Sequence, residues 1–536
     1  MPPAARLRPA IPIRILVPAV WLGAAVAPAV TQAQDFPTGR FGARGVVMSV
    51  QADGRYAFTR DGQLMIGGAY GRTGADTVEL RDDSGPAACR GALGRYTWRR
   101  TGDTLRFAVV ADSCAGRRGA LPGVPWVRRR DALALRGATL IDGTGAPPRP
   151  GVTLILRDGR IAAVHADGAE PLPDDAEVRD LAGAFVTPGL IDAHVHLATS
   201  PSGTDRRDRV ERRLRNTLLG GVVAVRDMAG DGRALADLAR AAAAGDITSP
   251  EIRYAALIAG PAFFDDPRVR TSAAGVPAGT APWARSVTDT TDLRQAVAEA
   301  RGTGATALKL YAELDARLTA RIVQEAHRQG LPVWSHLVLV PARPGEVVSA
   351  GVDVVSHALF ALWEVAELPN FRERAQADLT VGADHPRVRR LFTLMRERNV
   401  ILDATLFVYR ADSAAPDTSV ARRREARAVE FVRAAHAAGV RIAAGTDGMI
   451  RDEDGALPNI HTEMQLLVQR VGLTPMEALI AATRTAAQAA GIEATHGTIA
   501  VGKAADLLVL SADPTADIRN TREIRMVVRR GSLVER

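Results

Sequence analysis

Two histidines separated by one residue, His194 and His196, are the first residues whose types and spacing could do chemistry. On a β-strand, side chains two positions apart point to the same face, so both imidazoles would face one site. Imidazole is a common metal ligand. A His-x-His pair alone is a weak signature, because two strand histidines can equally be structural. Further candidates stand at the ends of other apolar segments: Lys309, His336, His357 and Asp447.

Lys309 lies within the apolar run 307–311. A lysine on a buried strand must lose its charge, find an anion or be modified. Carbamylation by CO₂ would turn the amine into an oxygen donor for a metal. The alternative is a salt bridge to a carboxylate such as Asp447.

The segments that would position these residues alternate between strand-like and helix-like patterns. Strict alternation predicts parallel strands, and eight units predict an α/β fold, a closed (β/α)₈ TIM barrel; a doubly wound open sheet is the alternative. Catalytic groups of such barrels lie at the C-terminal ends of the strands, where the candidates fall. The predicted strands are 184–196, 222–227, 252–258, 306–311, 332–337, 353–358, 400–406 and 441–447.

Two helix starts are marked by capping residues. Asp315 precedes an amphipathic pattern and predicts an N-cap. Thr474 and Glu477 stand three residues apart with Pro475 between them, which predicts a capping box with proline in the first turn.

Short strand patterns surround the predicted barrel, which spans 186–496. Segments 132–185 and 497–536 predict a small flanking β-sandwich built from two distant parts of the chain. Segment 35–130 predicts a small all-β domain, structural or used in recognition. The only two cysteines, Cys89 and Cys114, lie in it. In an exported protein such a pair predicts a disulfide.

The first 33 residues have the pattern of a secretory signal peptide. A basic start is followed by the apolar run 15–30 and by small residues at 31–33. A membrane anchor is the alternative, although Pro18 and Pro28 interrupt the run and it is short for a bilayer span. The pattern predicts an exported protein, periplasmic or extracellular.

Net charge says little about partners. The formal charge is +8 and aromatic residues make up 4% of the chain, but the basic residues are scattered rather than gathered in a patch. Nucleic-acid binding needs a focused patch, so a small-molecule substrate is favoured over nucleic acid. No stable membrane span is expected after signal cleavage. The oligomeric state stays open, and a homo-oligomer is compatible with the sequence.

Several motifs together resemble the amidohydrolase superfamily, in its branch of Xaa-Pro dipeptidases and imidazolonepropionases. The resemblance covers about 132–536. Its opening motif is similar to 186–196 (VTPGLIDAHVH), and 225–227 (VRD) and 445–447 (GTD) are similar to its second and eighth strands. Segment 497–510 resembles the return to the flanking sheet.

The resemblance implies a centre with two divalent metal ions, zinc by default, with manganese, iron and cobalt also compatible with the ligands. The more buried ion would be held by His194, His196, carbamylated Lys309 and Asp447. Lys309, His336 and His357 would hold the second. Two cations would lower the pKa of a bridging water, and Asp447 would carry its proton to the leaving amine.

The segment after His336 favours amide hydrolysis over deamination. Deaminases of the superfamily usually carry a glutamate there, but 337–340 contains no carboxylate. The chain is therefore interpreted as a hydrolase of a C–N bond, amide or peptide, in a dipeptide or an N-acyl amino acid. A hydrolase of lactones, esters or cyclic amides is the alternative; a deaminase or a non-enzymatic binding protein is less favoured.

Four residues near strand ends are candidates for substrate binding, where an arginine or tyrosine would hold a substrate carboxylate. For the arginine, a structural network with Asp227 is an equal alternative. The remaining histidines are interpreted as structural or solvated: His165, His327, His385, His436, His461 and His496. The substrate-binding candidates are Arg226, Tyr254, Tyr311 and Tyr409.

Overall fold

The computed structural model describes residues 36–368, 370–371, 373, 379–411, 416, 419–448 and 456–535. The predicted signal peptide at 1–33 lies outside them. The chain divides between Arg129 and Arg130 into two compact units. Within the described ranges, no helix combines the length and the apolar character needed to cross a bilayer.

The first unit is a closed antiparallel sheet of eight strands, in which each strand pairs with its neighbour in sequence and the last pairs with the first. This confirms the predicted all-β fold. Alternating aromatic and aliphatic side chains, among them Phe41, Tyr96 and Trp126, fill the interior. The strands are β1 (Gly39–Ala43), β2 (Val46–Val50), β3 (Arg55–Arg60), β4 (Gln63–Arg72), β5 (Thr77–Ser84), β6 (Leu93–Thr101), β7 (Thr104–Asp112) and β8 (Trp126–Arg129).

A disulfide joins Cys89 to Cys114, as predicted, with their Cα atoms 5.8 Å apart. Cys114 caps helix α1 (Ala115–Ala120), which carries the buried Arg117. The guanidinium of Arg117 pairs with Asp82 at 2.5 Å and with Asp112 at 2.8 Å. The backbone N–H groups of the two cysteines donate to the same two carboxylates. The disulfide and the buried ion pairs therefore fix the same end of this unit.

The second unit begins with a flanking sheet built from two distant parts of the chain. The strands are β9 (Ala132–Leu140), β10 (Arg149–Arg157), β11 (Arg160–Ala166), β12 (Ala176–Asp180), β13 (Phe185–Pro188), β24 (Leu507–Leu510), β25 (Ile524–Arg529) and β26 (Ser532–Leu533). They follow the order β11-β10-β9-β13-β24-β25-β26, and β12 also pairs with β9. Strands from opposite ends of this order share one core cluster, so the sheet curls around its own interior.

Eight parallel strands form the predicted TIM barrel, in the order in which they occur along the chain. A short hairpin, β17 (Thr280–Ala281) and β18 (Ala284–Ser286), pairs through β18 with the end of the third barrel strand. The barrel strands are β14 (Leu190–Val195), β15 (Val222–Asp227), β16 (Glu251–Ala259), β19 (Ala307–Leu310), β20 (Val333–His336), β21 (Val354–Ser356), β22 (Ile401–Asp403) and β23 (Ile442–Ala443).

The last barrel strand meets the first through single hydrogen bonds. The N–H of Ala193 donates to Ala444 O at 3.0 Å, and the N–H of Asp447 donates to His194 O at 2.9 Å. The turn at 481–482 also lies between the two strands. The carbonyl of Ala482 accepts from Ile191 N, and the carbonyl of Ala481 accepts from Ala444 N. The position of Asp447 beside His194 therefore depends on this closure.

Helices surround the barrel. The predicted caps are confirmed: Asp315 accepts from Leu318 N at 2.7 Å, and Thr474 forms a capping box with Glu477. The helices of this unit are α2 (Arg207–Leu219), α3 (Gly232–Ala244), α4 (Pro267–Ser272), α5 (Leu293–Gly302), α6 (Ala316–Arg328), α7 (Pro344–Ser349), α8 (Pro386–Glu397), α9 (Leu406–Tyr409), α10 (Val420–Ala437), α11 (Ile460–Leu466), α12 (Pro475–Ala481) and α13 (Arg484–Ala490).

The predicted strand 222–227 has the bounds of β15, and the other seven differ from the structure at their ends; local geometry explains two of the differences. The segment 184–196 divides at Gly189 into β13 of the flanking sheet and β14 of the barrel. A Cβ on Gly189 would lie 2.2 Å from Val223, so the crossing leaves no room for a side chain. The segment 400–406 ends as a strand at Asp403, because Thr405 turns to a φ of +51° and starts α9.

Candidate active site

All six predicted metal ligands face one cavity of about 520 Å³ at the C-terminal ends of the barrel strands. The parallel strands bring these ends together although the residues are far apart in sequence. His194 lies in β14, Lys309 in β19 and His336 in β20. His196 and His357 directly follow strands β14 and β21, and Asp447 lies four residues beyond the end of β23.

Asp447 is the centre of a cluster of imidazoles. Its Oδ1 lies 3.5 Å from Nε2 of His194 and 3.3 Å from Nε2 of His196. Its Oδ2 lies 3.9 Å from Nδ1 of His357. One donor atom each from His194, His357 and Asp447 falls within 4.8 Å of the others. The ring of His336 follows, its centroid 4.9 Å from that of His357.

The charges in this cluster favour an ionised Asp447. Burial acts to raise the pKa of its carboxyl, but the neighbouring imidazoles, His194 first, hold it far below its ordinary value. Burial in turn lowers the pKa of His336 and of His357, the latter to about 3. The site therefore combines a carboxylate with neutral imidazoles at His336 and His357, which is the state in which both bind metals. The pKa of His196, in contrast, is raised, because its contact with Asp447 outweighs its burial.

Lys309 is fully buried, and within the described ranges its Nζ has no hydrogen-bond partner. The alternative of a salt bridge with Asp447 is not formed. Burial first, and the charge of Arg226 second, lower the pKa of the amine to about 7. A neutral amine without a partner is the form that reacts with CO₂, so the surroundings of Lys309 suit a carbamate.

Each imidazole of the predicted metal site is oriented by a hydrogen bond at Nδ1. His336 bonds to Tyr311 O at 2.8 Å, His196 to Ala229 O at 3.3 Å, and His357 to Thr405 Oγ1 at 3.0 Å. Such outer partners fix the tautomer and the ring plane of metal-binding histidines.

The fourth imidazole is held by Asp403, a residue that the sequence analysis missed. Nδ1 of His194 lies 2.7 Å from Oδ2 of Asp403. The same oxygen accepts from Ser356 Oγ at 2.9 Å and from Arg226 Nη2 at 3.0 Å. The signal was a carboxylate within the apolar strand 400–406, the same kind of signal that identified Lys309.

The backbone around the site is tightly constrained. Asp447 and His357 adopt φ values of +47° and +74°, which are unusual for residues with a side chain. A Cβ on Gly445 would lie 2.2 Å from Oδ1 of Asp403 and 2.8 Å from Cβ of His194. Glycine is thus required at position 445, two residues before Asp447, because the chain passes directly over the Asp403–His194 pair there.

Two of the four substrate-binding predictions are wrong. Arg226 is fully buried below the site, where it donates to Asp403 and to Ala193 O and stacks on Trp334. Its partner is Asp403 rather than Asp227. Tyr254 is 3% exposed and donates its hydroxyl to Thr303 O, away from the cavity. Both side chains belong to the packing of the barrel.

The other two candidates, Tyr311 and Tyr409, line the cavity. The walls beyond the ligands are mainly aromatic and aliphatic, and His336 stacks on Phe371 with ring centroids 5.2 Å apart. Among the described lining residues, Arg424 of α10 is the one arginine. The remaining lining residues are Thr199, Ala229, Gly230, Leu257, Phe263, Val269, Ser272, Ala284, Leu359, Phe360, Trp363, Phe371 and Val408.

The six other histidines lie outside this cavity. His461 is buried between Gly220 O and Thr521 Oγ1, at 2.9 Å from each. His496 lies 2.9 Å from Asp506. Their partners are those of structural histidines.

Comparison with known proteins identifies the family. The profile of the amidohydrolase family matches residues 185–534. The chain belongs to this family. The imidazolonepropionase of Chromobacterium violaceum is 29% identical over 414 residues, which are 70% of this chain and 90% of that one. The amidohydrolase is therefore a hydrolase that acts on C–N bonds of the amide type.

Solved structures agree with the barrel fold. A Xaa-Pro dipeptidase with bound methionine matches with a TM-score of 0.58 and 22% identity, over 75% of this chain and 100% of that one. The A. niger ochratoxinase matches with a TM-score of 0.59 and 22% identity, over 76% and 96% of the two chains.

Proposed function

We propose that this amidohydrolase is a metal-dependent enzyme that cleaves the amide bond of N-acyl amino acids or dipeptides with a bulky apolar group. One observation carries the proposal. Donor atoms of His194, His357 and Asp447 converge within 4.8 Å of one another, in an aromatic cavity. The same cavity contains the amine of Lys309, which has no hydrogen-bond partner among the described residues.

The donor set suits two divalent ions, for which imidazole and carboxylate are typical ligands. His194, His196 and Asp447 would hold one ion, and His336 and His357 the other. Carbamylated Lys309 would be shared between them. When bound, the ions would polarise the substrate carbonyl and activate a water molecule.

Asp447 is the residue suited to moving the proton. Its carboxylate is ionised and lies between the imidazoles of His194, His196 and His357. An Oδ atom of Asp447 would accept the proton of the attacking water and deliver it to the departing amine nitrogen.

The cavity walls define the substrate class. Phe263, Phe360 and Phe371 form an apolar surface that would bind an acyl or side-chain group and exclude water. Arg424 and Tyr409 line the same cavity and provide donors for a substrate carboxylate. An apolar group next to an amide and a carboxylate describes an N-acyl amino acid or a dipeptide.

A substrate panel tests the proposal. The zinc-loaded mature protein is assayed on N-acyl amino acids, dipeptides, the corresponding amides without a carboxylate, lactones and esters. We expect the largest kcat/KM for aromatic or branched N-acyl amino acids or dipeptides, and a loss of at least tenfold when the carboxylate is removed. Turnover restricted to lactones or esters would refute the amide assignment.

A further inference from the structure

Glu463 of α11 is a fully buried carboxyl group outside the cavity, and the reaction proposed above makes no use of it. Both of its oxygens are engaged by the backbone of another element. Oε1 accepts from Leu406 N at 3.0 Å, and Oε2 accepts from Phe407 N at 2.6 Å. Leu406 and Phe407 are the first two residues of helix α9, so Glu463 binds the start of that helix.

Helix α9 needs such a partner, because it has only four residues. A helix this short is not stable by itself, since its first N–H groups lack acceptors within the helix. Thr405 stands at the N-cap position with φ +51°, but its side chain makes no capping bond. The hydroxyl of Thr405 instead lies 3.0 Å from Nδ1 of His357. Glu463 supplies the cap that Thr405 does not.

Residues at both ends of α9 contribute to the site. Thr405, directly before it, orients the ring of His357, and Tyr409 at its end lines the cavity. The rings of Tyr409 and His357 have centroids 6.3 Å apart. Phe407 also packs at the loop that follows Asp447, since a Cβ on Gly448 would lie 2.7 Å from its ring. Displacing α9 would therefore move a metal ligand's partner and a cavity wall together.

We propose that Glu463 is a positioning residue of the active site, acting through α9 on His357 and Tyr409. It touches neither substrate nor metal. The inference rests on the proposed function, because it takes His357 as a metal ligand and Tyr409 as part of the substrate pocket.

Glu477 offers a control at the start of another helix. Glu477 also accepts a backbone N–H at a helix start, from Thr474 N at 2.7 Å. No residue of its helix α12 lines the cavity. Changing either glutamate to glutamine keeps the shape and removes one acceptor. Glu477 is more exposed than Glu463, with 44% of its side chain accessible. Glu477→Gln therefore controls for the loss of an acceptor oxygen at a helix start, and Tm reports damage to packing in either variant.

The test compares the parent enzyme, Glu463→Gln and Glu477→Gln. The zinc affinity of each apoprotein is measured by competition with a chromophoric chelator, alongside kcat, KM and Tm. For Glu463→Gln we expect at least tenfold weaker binding of one zinc ion and at least a tenfold loss in kcat/KM. Glu477→Gln should stay within twofold of the parent in both. Equal behaviour of the two variants would overturn the inference.

A double-mutant cycle with Thr405→Val checks the route. If Glu463 acts through the start of α9, the double variant should lie within twofold of the more damaged single variant in kcat/KM. If the losses in kcat/KM of the two single variants instead multiply in the double variant, Glu463 does not act through the start of α9 and the proposal is refuted. Should Glu463→Gln fail to fold, Glu463→Asp keeps a carboxylate but withdraws it from α9, and the same losses are expected. A parent enzyme without metal or amidase activity refutes the proposed function instead.

Discussion

The imidazole of His194 and the carboxylate of Asp403 form a buried pair, with Nδ1 and Oδ2 2.7 Å apart. They lie on the first and the seventh strands of the barrel. Because the same Oδ2 also accepts from Ser356 and Arg226, the plane of the His194 ring is fixed by three other strands. Held in this way, His194 presents Nε2 to the cavity.

Asp403→Asn should weaken metal binding by about ten- to a hundredfold, as is typical when a histidine ligand loses its outer partner. The amide would keep the shape but lose the charge that faces His194 and Arg226. Competition with a chelator measures the change. Ser356→Ala, which removes only one neutral donor to Asp403, serves as control and should change metal affinity less than Asp403→Asn does.

The purified mature protein should contain close to two divalent ions per chain, because five ligands and Lys309 face one cavity. Elemental analysis after mild dialysis gives the number. Chelation should abolish activity, and zinc should restore it. Activity untouched by chelators in a protein without metal would rule out the metal mechanism.

Lys309→Ala should lose most activity, and short carboxylic acids should partly restore it by taking the place of the carbamate. Lys309→Arg should not be rescued, since its permanent charge repels the metals. Metal content is measured in the same preparations. Unchanged metal content in the alanine variant would contradict a carbamylated ligand.

The lowered pKa of Lys309 also predicts that reconstitution of the metal-free enzyme depends on pH. With the pKa of Lys309 lowered to about 7, the reactive neutral amine dominates above neutral pH and the ammonium below it. Reactivation of apoenzyme by zinc and bicarbonate should therefore slow as the pH falls below about 7 and level off above it. A rate that keeps rising towards pH 10 would indicate an ordinary lysine.

Asp447→Asn should lower kcat by about a hundredfold or more while KM changes little, because asparagine cannot carry a proton. The variant keeps one oxygen donor, so metal content must be compared with that of the parent. Near-parent turnover with both ions in place would exclude the assigned role.

Export predicts a defined mature N-terminus. Expressed with its first 33 residues in a Gram-negative host, the protein should be recovered from the periplasm beginning at Gln34, as judged by intact mass. Thiol alkylation without reduction should leave Cys89 and Cys114 unmodified. A full-length product retained in the membrane fraction would favour the anchor instead.

Apolar runs and their spacing were enough to predict the barrel and to place ligands at strand ends, because parallel strands bring these ends together. They were not enough to place Arg226 or Asp403. Both sit on predicted strands, but the side chains that face each other across a barrel depend on its closure and stagger. The sequence also showed no sign of the turn at Thr405, because Ala404 and Leu406 continue the apolar pattern of the strand.

Closure of the barrel by the turn at 481–482 has a consequence for biosynthesis. Asp192 and Thr446 bond across the junction although they are 254 positions apart, so the site cannot assemble until most of the second unit has left the ribosome. In the first unit, by contrast, nearly all strand pairs are neighbours in sequence. Local contacts form fast and distant ones slowly, so we expect the first unit to fold early during synthesis and the hydrolase unit to remain incomplete for much longer.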